Sequence, residues 1–113
     1  MLVVEDDRNA RRAISRILRL RGFVPLEAAS VREALAALRE RPQWALLDLM
    51  LPDGCGSEVL DRIVRDRLPT KVCITTGCAE SRLDGLRDRG ARHILLKPLD
   101  VDQLLTLLCE PVV

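Results

Sequence analysis

The chain has 113 residues, 48% of them hydrophobic, which is apolar material for one core and predicts one compact domain over residues 1 to 113. Its 18 basic and 17 acidic residues leave a formal net charge of +1, so no global pull draws it to nucleic acid or an acidic membrane, and any charge-driven function must be local. No apolar run reaches the length of a membrane span and the N-terminus lacks a basic stretch followed by an apolar one, so a cytoplasmic protein is expected, with Cys55, Cys73, Cys78 and Cys109 as reduced thiols.

Leu2-Val3-Val4 predicts a short buried strand, and Glu5, Asp6 and Asp7 follow it directly. Residues 9 to 21 then place Ala10, Ala13, Ile14, Ile17, Leu18 and Leu20 at helical spacing until Gly22 stops the run, with Asp7 as a helix-start residue. Arg8, Arg11, Arg12, Arg16, Arg19 and Arg21 on this helix read as a solvated or partner-docking face. Phe23 and Trp44 are the only aromatics, too few to stack bases in a nucleic-acid surface.

Residues 23 to 28 are extended, and Pro25 demotes them to an edge or imperfect strand. Ser30 followed by Glu33 makes a capping box for a helix through Val31, Ala34, Leu35 and Leu38, which Pro42 ends. Residues 44 to 48, Trp-Ala-Leu-Leu-Asp, form a continuous apolar run closed by one acid. That suits a strand covered on both faces and open only at its C-terminal end. Pro52-Asp53-Gly54 predicts a turn, and Ser57 is expected to cap a third helix carrying Val59, Leu60, Ile63 and Val64. A fourth strand is expected over 72 to 76, a polar helix over 81 to 89, a fifth strand over 94 to 97 and a last helix over 102 to 109. His93, just ahead of the fifth strand, reads as a surface or half-buried residue. Five such alternations predict an α/β, doubly wound, five-stranded parallel sheet with helices on both faces, in the flavodoxin-like strand order 2-1-3-4-5.

Open parallel sheets carry their sites beyond the carboxyl ends of the strands. The polar residues at those ends are Glu5, Asp6 and Asp7, then Asp48, then Thr75 and Thr76, and finally Lys97. The cysteines lack CxxC spacing and His93 is the sole histidine, which argues against zinc. Carboxylates with neither His nor Cys suit a hard cation, Mg2+ above all. A carboxylate beside such an ion can act as a nucleophile on phosphorus, with a lysine and a hydroxyl to neutralise and orient the phosphoryl group.

Four segments, VVEDD at 3 to 7, LLDLMLPDGCG at 46 to 56, ITTG at 74 to 77 and LLKP at 95 to 98, occur in an order and spacing that resembles the receiver domain of two-component response regulators (CheY-like) over essentially the whole chain. The resemblance implies that Asp48 is the phosphoacceptor and that Glu5 and Asp6 are the acidic pair. Mg2+ would be bound directly by Asp6 and Asp48, through the main-chain carbonyl of Met50, and by Glu5 through water. Lys97, ahead of a proline joined by a cis bond in the family, would pair with the phosphoryl group. Thr76 matches the switch hydroxyl, with Thr75 as the rival. Ile94 stands where the family has Tyr or Phe, so the activation signal is expected to travel through loop and helix movement. Met50 and Cys78 flank the acceptor and offer little to orient a hydrolytic water.

The resemblance further implies a switch rather than a turnover enzyme, with a sensor histidine kinase or phosphotransfer protein as donor. An effector domain or homodimer contact is expected through the fourth helix, fifth strand and fifth helix, including Arg82, Arg87 and Arg92. Direct nucleic-acid or membrane binding is not expected. Two alternatives stand beside this reading. One is a degenerate receiver acting as a phosphorylation-independent binding module. The other is an aspartyl-phosphate phosphatase or phosphotransferase, for which the chain lacks a second acid two residues after Asp48 and a substrate cap. A stand-alone receiver and a piece of a longer regulator or hybrid kinase are both compatible with the sequence.

Overall fold

In the computed structural model, which describes residues 1–77 and 84–108, chain order runs β1 (Leu2–Val4), α1 (Arg8–Leu20), β2 (Leu26–Ala28), α2 (Val31–Ala37) and a 3-10 turn (Leu38–Glu40). It continues through β3 (Trp44–Asp48), β4 (Met50–Leu51), β5 (Gly54–Cys55), α3 (Ser57–Arg65), β6 (Lys71–Thr76), α4 (Asp84–Asp88), β7 (His93–Leu96) and α5 (Val101–Leu108). The main sheet has five parallel strands in the order β2-β1-β3-β6-β7, the flavodoxin-like order expected from the sequence. Among the described residues no helix is long and apolar enough to cross a membrane.

Alternate side chains of the buried strands feed two cores, because successive residues of a strand point to opposite faces. Leu2, Val4, Ala45, Leu47, Val72 and Ile74 meet Val31, Ala34, Val59, Leu60 and Ile63 of α2 and α3 on one face. On the other, Val3, Trp44, Leu46, Cys73 and Leu95 meet Leu18 of α1 and Leu104 and Leu108 of α5. Covered on both sides, the sheet leaves its strand ends as the places where polar groups can collect.

Helix starts follow local chemistry in two cases. Asp7 caps α1 by accepting from the Asn9 N–H at 3.1 Å, and Ser30 caps α2 by accepting from the Glu33 N–H at 3.1 Å. The third differs from expectation: α3 is preceded by Gly56, not capped by Ser57, whose hydroxyl instead lies 3.1 Å from Cys55 Sγ. Glu58 reaches back to accept from the Cys55 N–H at 3.1 Å. The turn at Pro52-Asp53-Gly54 joins a two-stranded antiparallel ribbon, β4 with β5, that the sequence reading did not contain. Its tip residue Asp53 accepts from the N–H groups of Val31 at 2.8 Å and Arg32 at 3.0 Å, a second cap for α2 supplied from across the chain.

Further corrections are of extent and burial. β2 begins only at Leu26, after Pro25, since the proline has no N–H to give the ladder. Leu20, read as part of the apolar stripe, is 76% exposed, because the stripe's rotation has carried it off the sheet by the last turn. β7 opens at His93, one residue earlier than expected, and its half-buried ring stacks on Trp44 with centroids 6.2 Å apart. The start of the fourth helix at 81–83, and Cys78, Arg82 and Cys109, lie outside the described residues.

The two backbone N–H groups on Asp53 hold its carboxyl below the usual carboxylate value of 3.8. A lowered pKa contributes stability that is present above the unfolded value and is lost as pH falls through the folded one. Asp53→Ala is therefore expected to lower the thermal midpoint at pH 7, with the gap to wild type closing below about pH 4. Equal midpoints at pH 7 would show that this cap does not support α2.

Candidate functional site

Three strand ends converge at the C-terminal edge of the sheet. β1 runs into Glu5 and Asp6, β3 ends on Asp48, and β7 hands over to Lys97, whose N–H donates to the Thr76 carbonyl at 2.8 Å. The Lys97–Pro98 peptide bond is cis. The Lys97 ammonium donates to Asp48 Oδ2 at 2.8 Å and to Glu5 Oε1 at 3.3 Å. Asp48 Oδ1 accepts from the Met50 N–H at 3.2 Å, so both acceptor oxygens of this carboxylate are engaged.

Carboxylate oxygens of Glu5, Asp6 and Asp48 lie within 4.8 Å of one another. Asp48 is 3% exposed and Glu5 8%, while Asp6 is open to solvent. Burial pushes the Glu5 carboxyl up to about 7, the neighbouring Asp48 adds to the rise, and Lys97 opposes it. For Lys97, burial works against the charged form, but the two carboxylates outweigh it and its pKa is raised. Glu5 Oε2 is buried with no hydrogen-bond partner. An oxygen-only donor set with an unsatisfied carboxylate oxygen fits a hard divalent cation that keeps part of its water shell. The three acids are the residues that could hold it.

The sequence left Thr75 and Thr76 as rivals. Thr75 stands in register with Asp48, and its hydroxyl donates to the Leu47 carbonyl at 3.4 Å. Thr76, 3% exposed, is the last residue of β6. The Met50 side chain is 76% exposed and only its main chain meets the site. Ile94 is half-buried against the core on the α2 and α3 face, in register with Ile74. Asp7 belongs to the α1 cap and not to the acid cluster. A cleft of about 440 Å³ opens beside the site, lined by Glu5, Ala13, Ile14, Thr75, Lys97 and Pro98 among others. Cys73 is buried in the core on the α1 and α5 face, and burial pushes its thiol up to about 12.

Gly56, which the sequence offered only as the last residue of the segment 46 to 56 with no role of its own, is a structural part of the site. Its N–H donates to the Leu49 carbonyl at 2.9 Å, and a Cβ here would overlap the Asp48 carbonyl oxygen. Its place eight residues after Asp48, in a loop already rich in turn residues, was the available signal.

Residues 1–109 match the family model described as the response regulator receiver domain. The acid tolerance regulatory protein ActR of Rhizobium meliloti is 34% identical, over 97% of this chain and 58% of its own length. The phosphate regulon transcriptional regulatory protein PhoB of Escherichia coli is 33% identical, over 92% of this chain and 47% of its own length. The chain thus spans about half the length of these curated relatives. Among solved structures, a CheY-like response regulator receiver domain protein from Methanospirillum hungatei superposes with a TM-score of 0.87 at 29% identity, covering 95% of this chain and 87% of that one. The chemotaxis protein CheY4 of Vibrio cholerae gives 0.86 at 26% identity, covering 95% and 92%.

A carboxyl whose pKa is raised on folding contributes stability that is full below the unfolded value, here 4.5, and is lost as pH rises through about 7. Without added cation, wild type is therefore expected to lose stability relative to Glu5→Gln as pH rises from about 5 to 8, read as urea midpoints. Adding Mg2+ at the upper end should raise the wild-type midpoint more than the variant's. Identical pH dependence in the two proteins would contradict this account of the acid cluster. Gly56→Ala is expected to lower the midpoint at every pH, because the Asp48 backbone must yield; an unchanged midpoint would show that the loop relaxes freely.

Proposed function

The chain belongs to the response regulator receiver family of two-component signalling, and on that premise we propose that it is a phosphorylation-dependent switch whose acceptor is Asp48. The observation that carries this reading is the Lys97 ammonium shared between Asp48 and Glu5 at the end of three strands, beside an exposed Asp6. That arrangement presents one carboxylate as nucleophile and keeps cationic charge next to it.

In the proposed step an Asp48 oxygen forms a bond to phosphorus while the donor's bond to phosphorus breaks. With a phosphohistidine donor the electron pair leaves on the imidazole nitrogen, which is then protonated from solvent. The Met50 N–H orients the Asp48 carboxylate. Lys97, already in contact with that carboxylate, turns its donors to the incoming phosphoryl oxygens, and Thr76 at the end of β6 would supply the hydroxyl donor. Mg2+ bound by Asp6, Asp48 and the Met50 carbonyl, and by Glu5 through water, would neutralise charge on the transferring group. Because the phosphoryl group stays on Asp48, the chain modifies itself and is a switch, not a turnover enzyme.

The donor is a sensor histidine kinase or phosphotransfer protein, and the protein is cytoplasmic. With Ile94 in place of an aromatic, the signal passes from Thr76 at the end of β6 to the face formed by α4, β7 and α5. An effector domain or a second copy docks on that face, and this domain does not itself bind nucleic acid.

Intact-mass measurement after incubation with acetyl phosphate and Mg2+ tests the reading. One phosphoryl adduct is expected, dependent on Mg2+ and absent in Asp48→Asn, with Lys97→Ala lowering its yield. No adduct on wild type, with Mg2+ shown not to bind, would favour the phosphorylation-independent binding module.

A further inference from the structure

The arginines of the first helix read from sequence as a solvated or partner-docking face, and Arg11 departs from that reading. Arg11 Nη1 donates to the main-chain carbonyl of Glu5 at 2.9 Å, and its Nε donates to Glu27 Oε1 on β2 at 3.2 Å. Its side chain is 16% exposed, whereas the neighbouring Arg12 points to solvent. Arg19 adds a longer contact to the other Glu27 oxygen at 3.9 Å.

The Glu5 carbonyl belongs to the planar peptide unit that joins Glu5 to Asp6. Fixing that oxygen fixes the plane, and with it the direction in which the Asp6 Cα leaves the strand. The Glu5 N–H is already held by the Ala28 carbonyl at 3.0 Å, so Arg11 completes a clamp on both backbone groups of the residue. A guanidinium near three carboxylates would by charge alone repel a cation. Glu27 offsets that charge, so the geometric effect survives without the electrostatic cost.

We propose that Arg11 is a positioning residue for the cation site: by holding the Glu5–Asp6 peptide it aims the two acids at a common point with Asp48, and Glu27 cancels its charge. The inference rests on the Mg2+-dependent reading above. It separates sharply from simple electrostatics in sign. Removing a cation near an acidic cluster should tighten divalent binding, whereas removing the clamp should weaken it.

The test is calorimetric titration of Mg2+ alone into the full chain. Arg11→Ala is expected to weaken the Mg2+ Kd about tenfold. Arg12→Ala, which removes the same charge from an exposed neighbour, is expected to leave Kd unchanged or slightly tighter. The Asp6 amide should exchange its hydrogen faster in Arg11→Ala than in wild type. A Kd for Arg11→Ala equal to or tighter than wild type, with wild type binding, overturns the positioning role and leaves Arg11 as a helix-to-sheet tie. Failure of wild type to bind Mg2+ overturns the underlying reading as well. Should Arg11→Ala not fold, Arg11→Lys carries the test: one donor in place of the planar fork predicts an intermediate Kd, and a wild-type Kd overturns the proposal.

Discussion

Among the described residues, the Lys97 ammonium ties the carboxylates of two strand ends together. It bridges to Asp48, 49 residues away in sequence, and to Glu5, 92 residues away. Both carboxylates are almost wholly buried, and two anions at such range repel while losing their hydration. The Lys97 side chain is 36% exposed, so solvent screens these pairs and the network adds little net stability. It explains readiness. Burial keeps Glu5 raised to about 7 even with Lys97 in place, and one of its carboxylate oxygens has no hydrogen-bond partner.

The sheet makes this placement possible. Parallel strands buried on both faces must be apolar along their length, and Trp44 to Leu47 and Val72 to Ile74 obey that. Polar groups can follow only where the helical layers stop covering the strand. The loop after β3 is then tied down at several points. Gly56 packs against the Asp48 carbonyl, Glu58 caps the Cys55 N–H, and Asp53 holds the start of α2. A displacement of the loop that follows Asp48 therefore bears directly on α2 as well as on α3.

Much of this was legible because it is written in local chemistry. The apolar strand of residues 44 to 48 with its terminal acid, the capping box at Ser30 and Glu33, and the cap at Asp7 each need only a few consecutive residues. The order of the main sheet followed from alternation and handedness. What escaped depends on partners distant in sequence. Asp53 looks like any turn acid until α2 lies beside it, 22 residues away from Val31. Arg11 looks like its neighbours until β2 brings Glu27 to it. Ser57 follows the usual preference for a helix start, but the backbone approach at Gly56 moves the boundary, no side chain caps α3, and Glu58 accepts instead from the Cys55 N–H in the preceding loop. The sequence also left Thr75 and Thr76 open, and both are buried at the end of β6.

The central claim is that Glu5, Asp6 and Asp48 form one cation-receiving cluster around Lys97. Carbon-13 titration of the side-chain carboxyls with and without Mg2+ measures this directly. The account predicts that Glu5 titrates near 7 in the absence of the cation, and that Mg2+ moves its midpoint to lower pH while shifting all three carboxyl signals along one binding curve. A Glu5 midpoint near the ordinary 4.5, unchanged by Mg2+, with the three carboxyls responding separately or not at all, would contradict it.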